Sequence, residues 1–328
     1  MIHVMNITYY TYPFAFDIPG GGERQLMAYR HYLKDTGIDV NLFNQWNPCF
    51  EECDIFHCFS VMPGVIENFE YARKKGIKTV LSPNLWITEK TKKNYPTDLI
   101  WNLFSLADRI VVNSYLEAEN LSRVFSCDFD KFAVVYNGVE ERFLKRVDEP
   151  IFQQTYHIPK PYFLNVANVE PRKNQLNFLK ALKNYPDISL VTVGYERDRI
   201  YAEECHRVGG SQFIHINALP YGSDMLRSAI CNADGFVMPS TLETPSIAAL
   251  EAGASGCRLL VTSEGSTKEY FQDYVTYVDP DDVDSMSRGI EKMLSEGFDI
   301  NLHLRIGWSF TWNHVVKSLV DLYKSLVS

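Results

Sequence analysis

The chain has 328 residues, 46% of them hydrophobic and 22% charged, with a formal net charge of −9. At about 100–200 residues per domain this supports two globular cores and excludes disordered and fibrous architectures. No apolar run approaches the roughly 18 residues of a spanning helix, and neither half is the basic module that nucleic acid binding requires.

The N-terminus enters a strand-like stretch at Ile2 without the basic flank or cleavage site of a secretion signal, so a cytoplasmic protein is expected. Short apolar runs then alternate with stretches of helical period, which predicts an α/β class with repeated strand-helix units around parallel sheets. In the first half, strands are expected near residues 4–9, 39–43, 54–59, 78–81, 109–113 and 132–136, with helices between them, for example over 23–34 and 114–125. The glycines of PGGGERQ (19–25) follow the first strand, where they allow close backbone approach and positive φ. His57 ends the third strand and points either toward a ligand or into the core. Cys49, Cys53 and Cys58 lie close together, but no second cluster completes a zinc site, and the seven cysteines read as free thiols in a reducing compartment. The short Lys-rich patches (Arg73, Lys74, Lys75, Lys78; Lys90, Lys92, Lys93) read as solvated surface, with weak peripheral contact to anionic lipid headgroups as the alternative.

Asn137-Gly138 is a turn signal, and the charged, proline-bearing stretch 140–160 is expected to carry the chain between domains. The rhythm then restarts, with strands near 162–166, 189–193, 213–216, 235–238, 258–262 and 274–278. Two Rossmann-like domains result. Open parallel sheets bind ligands beyond the carboxyl ends of their strands, so a cleft between two such domains is where chemistry is expected. The final segment, 311–327, places Trp312, Val315, Val316, Leu319, Leu322, Tyr323 and Leu326 on one helical face and must bury that stripe, with the first domain as one place for it.

The stretch PSTLETPSIAALEAGASG (239–256) carries the most chemical information. Thr244 is a good N-cap and Pro245 suits the first helical position. That start leaves the amides of Ser246 and Ile247 unpaired as an anion site that a phosphate would fit. Glu251 shares a helix face with Ile247, Leu250 and Ala254. An inward-facing carboxylate there needs a cation or polar partner, and a ribose diol is one; an exposed glutamate at a different register is the other reading.

Two glutamates seven residues apart across a helix start, followed by Glu-Ala-x-Ala-x-Gly, resemble the donor-site motif of the retaining glycosyltransferases of family 4. NVEPRKNQ (168–175) resembles the family's diphosphate-binding turn, PGGGERQ its Gly-Gly loop near the reacting centre, and ADRIVVNS (107–114) and YNGV (136–139) the strand and turn that close its first domain. The last two read as scaffold, with Ser114 placed to reach the cleft.

The resemblance implies a GT-B fold: an acceptor-side domain over 1–150, a nucleotide-sugar domain over 151–310, and a helix over 311–328 packed across the junction. It implies Glu243 on the transferred sugar, Glu251 on the nucleotide ribose, and Arg172 and Lys173 on the diphosphate, where cations stabilise the leaving group without a metal. Glu243, Lys173 and Arg172 are therefore the expected catalytic set. Thr244, Ser246, Ile247, Gly21, Gly22, Gly194 and Glu251 are expected on the donor side, and His57 and Asn84 on the acceptor side.

The implied activity moves a sugar from a UDP- or GDP-linked donor to a glycan or lipid-linked glycan acceptor, as in bacterial surface polysaccharide assembly, with no cofactor. Asn168 and Asn84 stand where relatives carry Arg and His. The alternatives are a nucleotide-sugar epimerase or phosphorylase on the same plan, or a glycosyltransferase-like binding subunit without turnover. Base, sugar, acceptor and oligomeric state stay open at this stage.

Overall fold

A computed structural model describes residues 4–17 and 19–327, so Ile2, where the first strand-like stretch was read to begin, and Ser328 lie outside the described residues. The chain forms two compact units. The first comprises Met1–Gly138 and Trp312–Ser328, the second Val139–Thr311.

The first unit holds a parallel sheet of β1 (Met5–Tyr10), β2 (Ile38–Leu42), β3 (Ile55–Phe59), β4 (Lys78–Ser82), β5 (Arg109–Val112) and β6 (Phe132–Val134), in the order β2-β1-β3-β4-β5-β6. The second holds β7 (Tyr162–Val166), β8 (Ser189–Val193), β9 (Phe213–Ile216), β10 (Gly235–Met238), β11 (Leu259–Thr262) and β12 (Thr276–Val278), in the order β12-β11-β10-β7-β8-β9. Every residue of β3, β8 and β10 is buried. A parallel sheet covered by helices on both faces buries both sides of its strands, which is why they read as short unbroken apolar runs rather than alternating ones. The α/β class and all twelve strands stand where the apolar runs place them, within about two residues at each end.

The last helix, Trp312–Val327, belongs to the first unit and covers it with Trp312, Val315, Val316, Leu319 and Tyr323, all buried. Trp312 meets Tyr29 edge to face at a centroid distance of 5.7 Å. Gly138 lies flush against the indole, since a Cβ there would stand 2.6 Å from Trp312 Cδ2. The stretch after Gly138 is structured. Phe143 and Phe152 are fully buried, and a helix forms over Ile151–Tyr156, so residues 139–150 fold with the second unit rather than the first. Among the described residues no helix is long and apolar enough to cross a membrane.

Candidate functional site

In the second sheet the chain builds β7, β8 and β9 outward in one direction, then returns to lay β10, β11 and β12 on the other side of β7. The carboxyl ends of β7 and β10 therefore flank the point where strand order reverses, the place where open α/β sheets bind ligands. The loop after β7 carries Asn168 to Asn174, with Gln175 opening the next helix, and the loop after β10 carries Pro239 to Ser246. Hydrogen bonds stitch them together: the Thr241 amide donates to the Arg172 carbonyl at 2.9 Å and the buried Asn174 side chain donates to the Pro239 carbonyl at 2.9 Å, while also donating to the Pro280 carbonyl beyond β12 at 2.8 Å. Asn174 does this from a left-handed backbone (φ +60), a conformation that asparagine tolerates better than most residues. Asn174 lies within the NVEPRKNQ motif, where no role was evident for it from sequence. Its Asn-before-helix position was the available signal.

This stitching brings Lys173 Nζ to 2.6 Å from Glu243 Oε1, with Arg172 Nη1 3.6 Å from the same oxygen. The Lys173 and Glu243 side chains are only 12% and 6% exposed, while Arg172 is half exposed and also contacts Glu170. Burial pushes the Glu243 carboxyl up, but the Lys173 and Arg172 charges and the Lys173 hydrogen bond outweigh it and hold the group below the ordinary carboxylate range. An ammonium has three protons to donate and Glu243 takes one, so Lys173 keeps donor capacity for a second anion.

The helix after Glu243 begins later than its sequence predicts. It runs over Ile247–Ala254 with Ser246 as N-cap, the hydroxyl accepting the Ala249 amide at 3.2 Å. Thr244 is not the cap, and Pro245 precedes the helix instead of opening it. Glu243 causes the shift because its backbone is held in a parallel bridge to Gly265, donating to Glu264 at 3.3 Å and accepting from Ser266 at 3.0 Å. With Glu243 extended and Thr244 restrained by the following proline, Ser246 is the first residue free to turn the chain. The amides at the helix mouth are accordingly those of Ile247 and Ala248, and the Ser246 amide lies before it. Glu251, one turn from the helix end, is fully buried. Gly265 was missed from sequence. Its φ is +95°, and a Cβ on it would stand 2.0 Å from the Glu243 carbonyl oxygen, so only glycine admits this bridge.

Gly194 follows β8 and is packed by backbone, since a Cβ there would stand 2.1 Å from the Ala167 carbonyl oxygen. Its bareness lets the loops after β7 and β8 touch. Asn168 accepts the Tyr195 amide on its side chain at 3.3 Å, and Gln175 donates to the Asn168 carbonyl at 3.0 Å. Asn168 is thus part of the loop's internal bonding.

In the first unit, Gly21 and Gly22 open the helix Gly21–Leu33 with Gly20 as N-cap. None of the three has the positive φ expected of them; a Cβ on Gly21 would meet nothing within 4 Å, and one on Gly22 would stand 3.4 Å from Asn84 Nδ2, an ordinary contact distance. Asn84 does hold a left-handed backbone (φ +50) and accepts from the Asn113 side chain at 3.1 Å. His57 lies in the core rather than on an acceptor-facing surface. It is fully buried, with Nδ1 2.6 Å from the Tyr323 hydroxyl and Nε2 2.8 Å from Ser82 Oγ. Ser114 is also enclosed and caps the helix Tyr115–Phe125, accepting the Glu117 amide at 3.0 Å.

Two family models match the chain: "Glycosyltransferase Family 4" over residues 50–143 and "Glycosyl transferases group 1" over 148–307. An uncharacterized glycosyltransferase of Methanocaldococcus jannaschii is 27% identical over 232 residues, covering 66% of this chain and 59% of that relative's own length. Sucrose-phosphate synthase from Thermosynechococcus elongatus superposes with a TM-score of 0.83 at 15% identity, covering 98% of this chain and 99% of the other. HepE of Anabaena, in its complex with UDP-glucose, superposes at 0.78 with 14% identity, covering 98% and 100%. These likenesses at low identity are likenesses of fold, the two-sheet GT-B architecture.

Proposed function

We propose that this chain, which belongs to the family 4-like glycosyltransferases of group 1, transfers a sugar from a nucleotide diphosphate donor to an acceptor hydroxyl with retention at the anomeric carbon. The observation that carries the reading is the buried Lys173–Glu243 pair, with Arg172 beside it, at the strand-order reversal of the second sheet.

In this scheme the donor diphosphate lies along Lys173, Arg172 and the amides of Ile247 and Ala248, where cations and the helix dipole both favour negative charge. Charge that builds on the departing phosphate is neutralised by groups already in place, with no metal required. Glu243 takes hydroxyls of the transferred sugar, and Glu251 the ribose. A covalent intermediate would require a carboxylate nucleophile with an acid/base carboxyl about 5 Å away. Glu243 instead lies against two cations, which suits holding a hydroxyl. Same-face attack follows: the acceptor oxygen bonds to the anomeric carbon as the bond to the phosphate oxygen breaks, and that oxygen takes the acceptor proton.

UDP- and GDP-linked sugars are the first donors to test, UDP because HepE is seen with UDP-glucose. A glycan or lipid-linked glycan in surface polysaccharide assembly is the proposed acceptor class, acting at the cytoplasmic side of the membrane. A thermal-shift screen of UDP-, GDP- and ADP-sugars, followed by transfer assays, tests the reading. Glu243→Ala is expected to abolish transfer and Glu251→Ala chiefly to weaken nucleotide binding. Near-normal transfer by the Glu243 variant would overturn the assignment. Conversion of the donor sugar without any acceptor would mark an epimerase.

A further inference from the structure

A cavity of about 280 Å³ opens within the first unit at the carboxyl ends of β1, β3 and β4. In that sheet β2 lies on one side of β1 and β3 on the other, so this is the first unit's own strand-order reversal, a ligand position by the same topological rule as in the second. Thr11, Tyr12, Ser60 and Asn84 line it from the strand ends, and Gly22 and Glu23 from the first helical turn. Ser60 (φ +111) and Asn84 (φ +50) hold left-handed backbones without being glycine, a cost that concentrates where a site must be shaped.

The lining chemistry has one sign. It offers the hydroxyls of Thr11, Tyr12 and Ser60, the Asn84 amide and the Glu23 carboxylate. Among the described lining residues there is no Lys, Arg or His. Glu23 is held in place by the Gly20 amide, which donates to Oε2 at 2.7 Å, and by the Tyr12 hydroxyl, which donates to Oε1 at 3.2 Å. A carboxylate has lone pairs left for a diol and repels a phosphate or carboxylate brought into the same cavity.

We infer that this cavity takes an uncharged, hydroxyl-rich group as the acceptor, and that Glu23 is the residue that turns away its phosphorylated counterpart. The inference rests on the transfer reading above, and it assigns an acceptor class to the first unit. The test is saturation-transfer NMR on the full chain with UDP present, using matched probes: glucose against glucose 6-phosphate, and galactose against galactose 1-phosphate. The neutral member of each pair is expected to bind at least tenfold more tightly. Glu23→Gln keeps an acceptor for Gly20 and removes the charge, so it is expected to narrow the ratio to within about threefold at an unchanged melting temperature. Glu23→Lys is expected to reverse it.

Preference of the wild type for the phosphorylated members, absence of binding by the neutral ones, or a ratio unmoved in both Glu23 variants overturns the inference. Calorimetry of UDP binding is run alongside. Loss of that binding is a failure of the transfer reading, whereas a reversed probe preference with UDP bound is a failure of this inference alone.

Discussion

Lys173 and Glu243 stand 70 residues apart in sequence, and their charged atoms lie 2.6 Å apart with both side chains largely buried. A buried carboxylate that loses its nearest cation is left with an uncompensated charge, which costs about 3 kcal/mol or more. Lys173→Met is therefore expected to lower both stability and turnover, the latter about 100-fold if the ammonium stabilises the leaving group. The double variant Lys173→Met/Glu243→Gln removes both charges and is expected to recover most of the stability and none of the activity. Denaturation midpoints and transfer rates on the four proteins decide it. Recovered activity in the double variant would make the pair structural only.

The backbone of Glu243 depends on a residue 22 positions later. Gly265→Ala drives a Cβ into the Glu243 carbonyl and also strains a positive φ, and neither can relax without moving the bridge. A loss of about 2 kcal/mol or more is expected, with transfer falling further than the stability loss accounts for. An alanine variant with wild-type stability and rate would show that the Glu243–Gly265 bridge does not position the carboxylate.

The two hydroxyl residues at the helix mouth separate cleanly by experiment. Ser246 caps and Thr244 does not, so Ser246→Ala should cost about 1 kcal/mol in chemical denaturation and Thr244→Ala within about 0.5 kcal/mol. The reverse order would restore Thr244 as the cap.

The same residues show what a sequence can and cannot display. The buried strands were legible because a two-sided parallel sheet writes itself as continuous apolar runs, and the last helix because Trp312, Val315, Val316, Leu319 and Tyr323 repeat at helical spacing. Lys173 and Glu243 were each recognisable from their own motifs, yet their pairing depends on β7 and β10 becoming neighbours, which no local pattern encodes. The cap moved from Thr244 to Ser246 for a similar reason. Local propensity allows both, and a bridge to distant Gly265 decides between them. Gly21 and Gly22 were expected to allow close backbone approach and positive φ, but neither has a positive φ, and a Cβ would meet nothing within 4 Å on Gly21 and only an ordinary contact with Asn84 on Gly22.

His57 yields a prediction about acid stability. Its ring is fully buried between Tyr323 and Ser82, and burial lowers its pKa to about 3 against an ordinary value of 6.5. The folded state holds this imidazole neutral while the unfolded chain protonates it, so its contribution is complete above pH 6.5 and is lost as pH falls toward 3. The neighbouring Tyr9 and Tyr323 hydroxyls are pushed upward by burial and stay neutral throughout this range. Between pH 6.5 and about 4.5, above most carboxylate titration, His57 alone should remove about 3 kcal/mol of stability, close to one proton taken up on unfolding. His57→Gln can still hydrogen-bond Tyr323 and does not titrate. It is expected to be less stable than wild type at pH 7.5 and to lose that deficit on acidification, so the two stability curves converge toward pH 4.5. Parallel curves for the two proteins across this interval would show that His57 is already protonated in the folded chain or exposed to water.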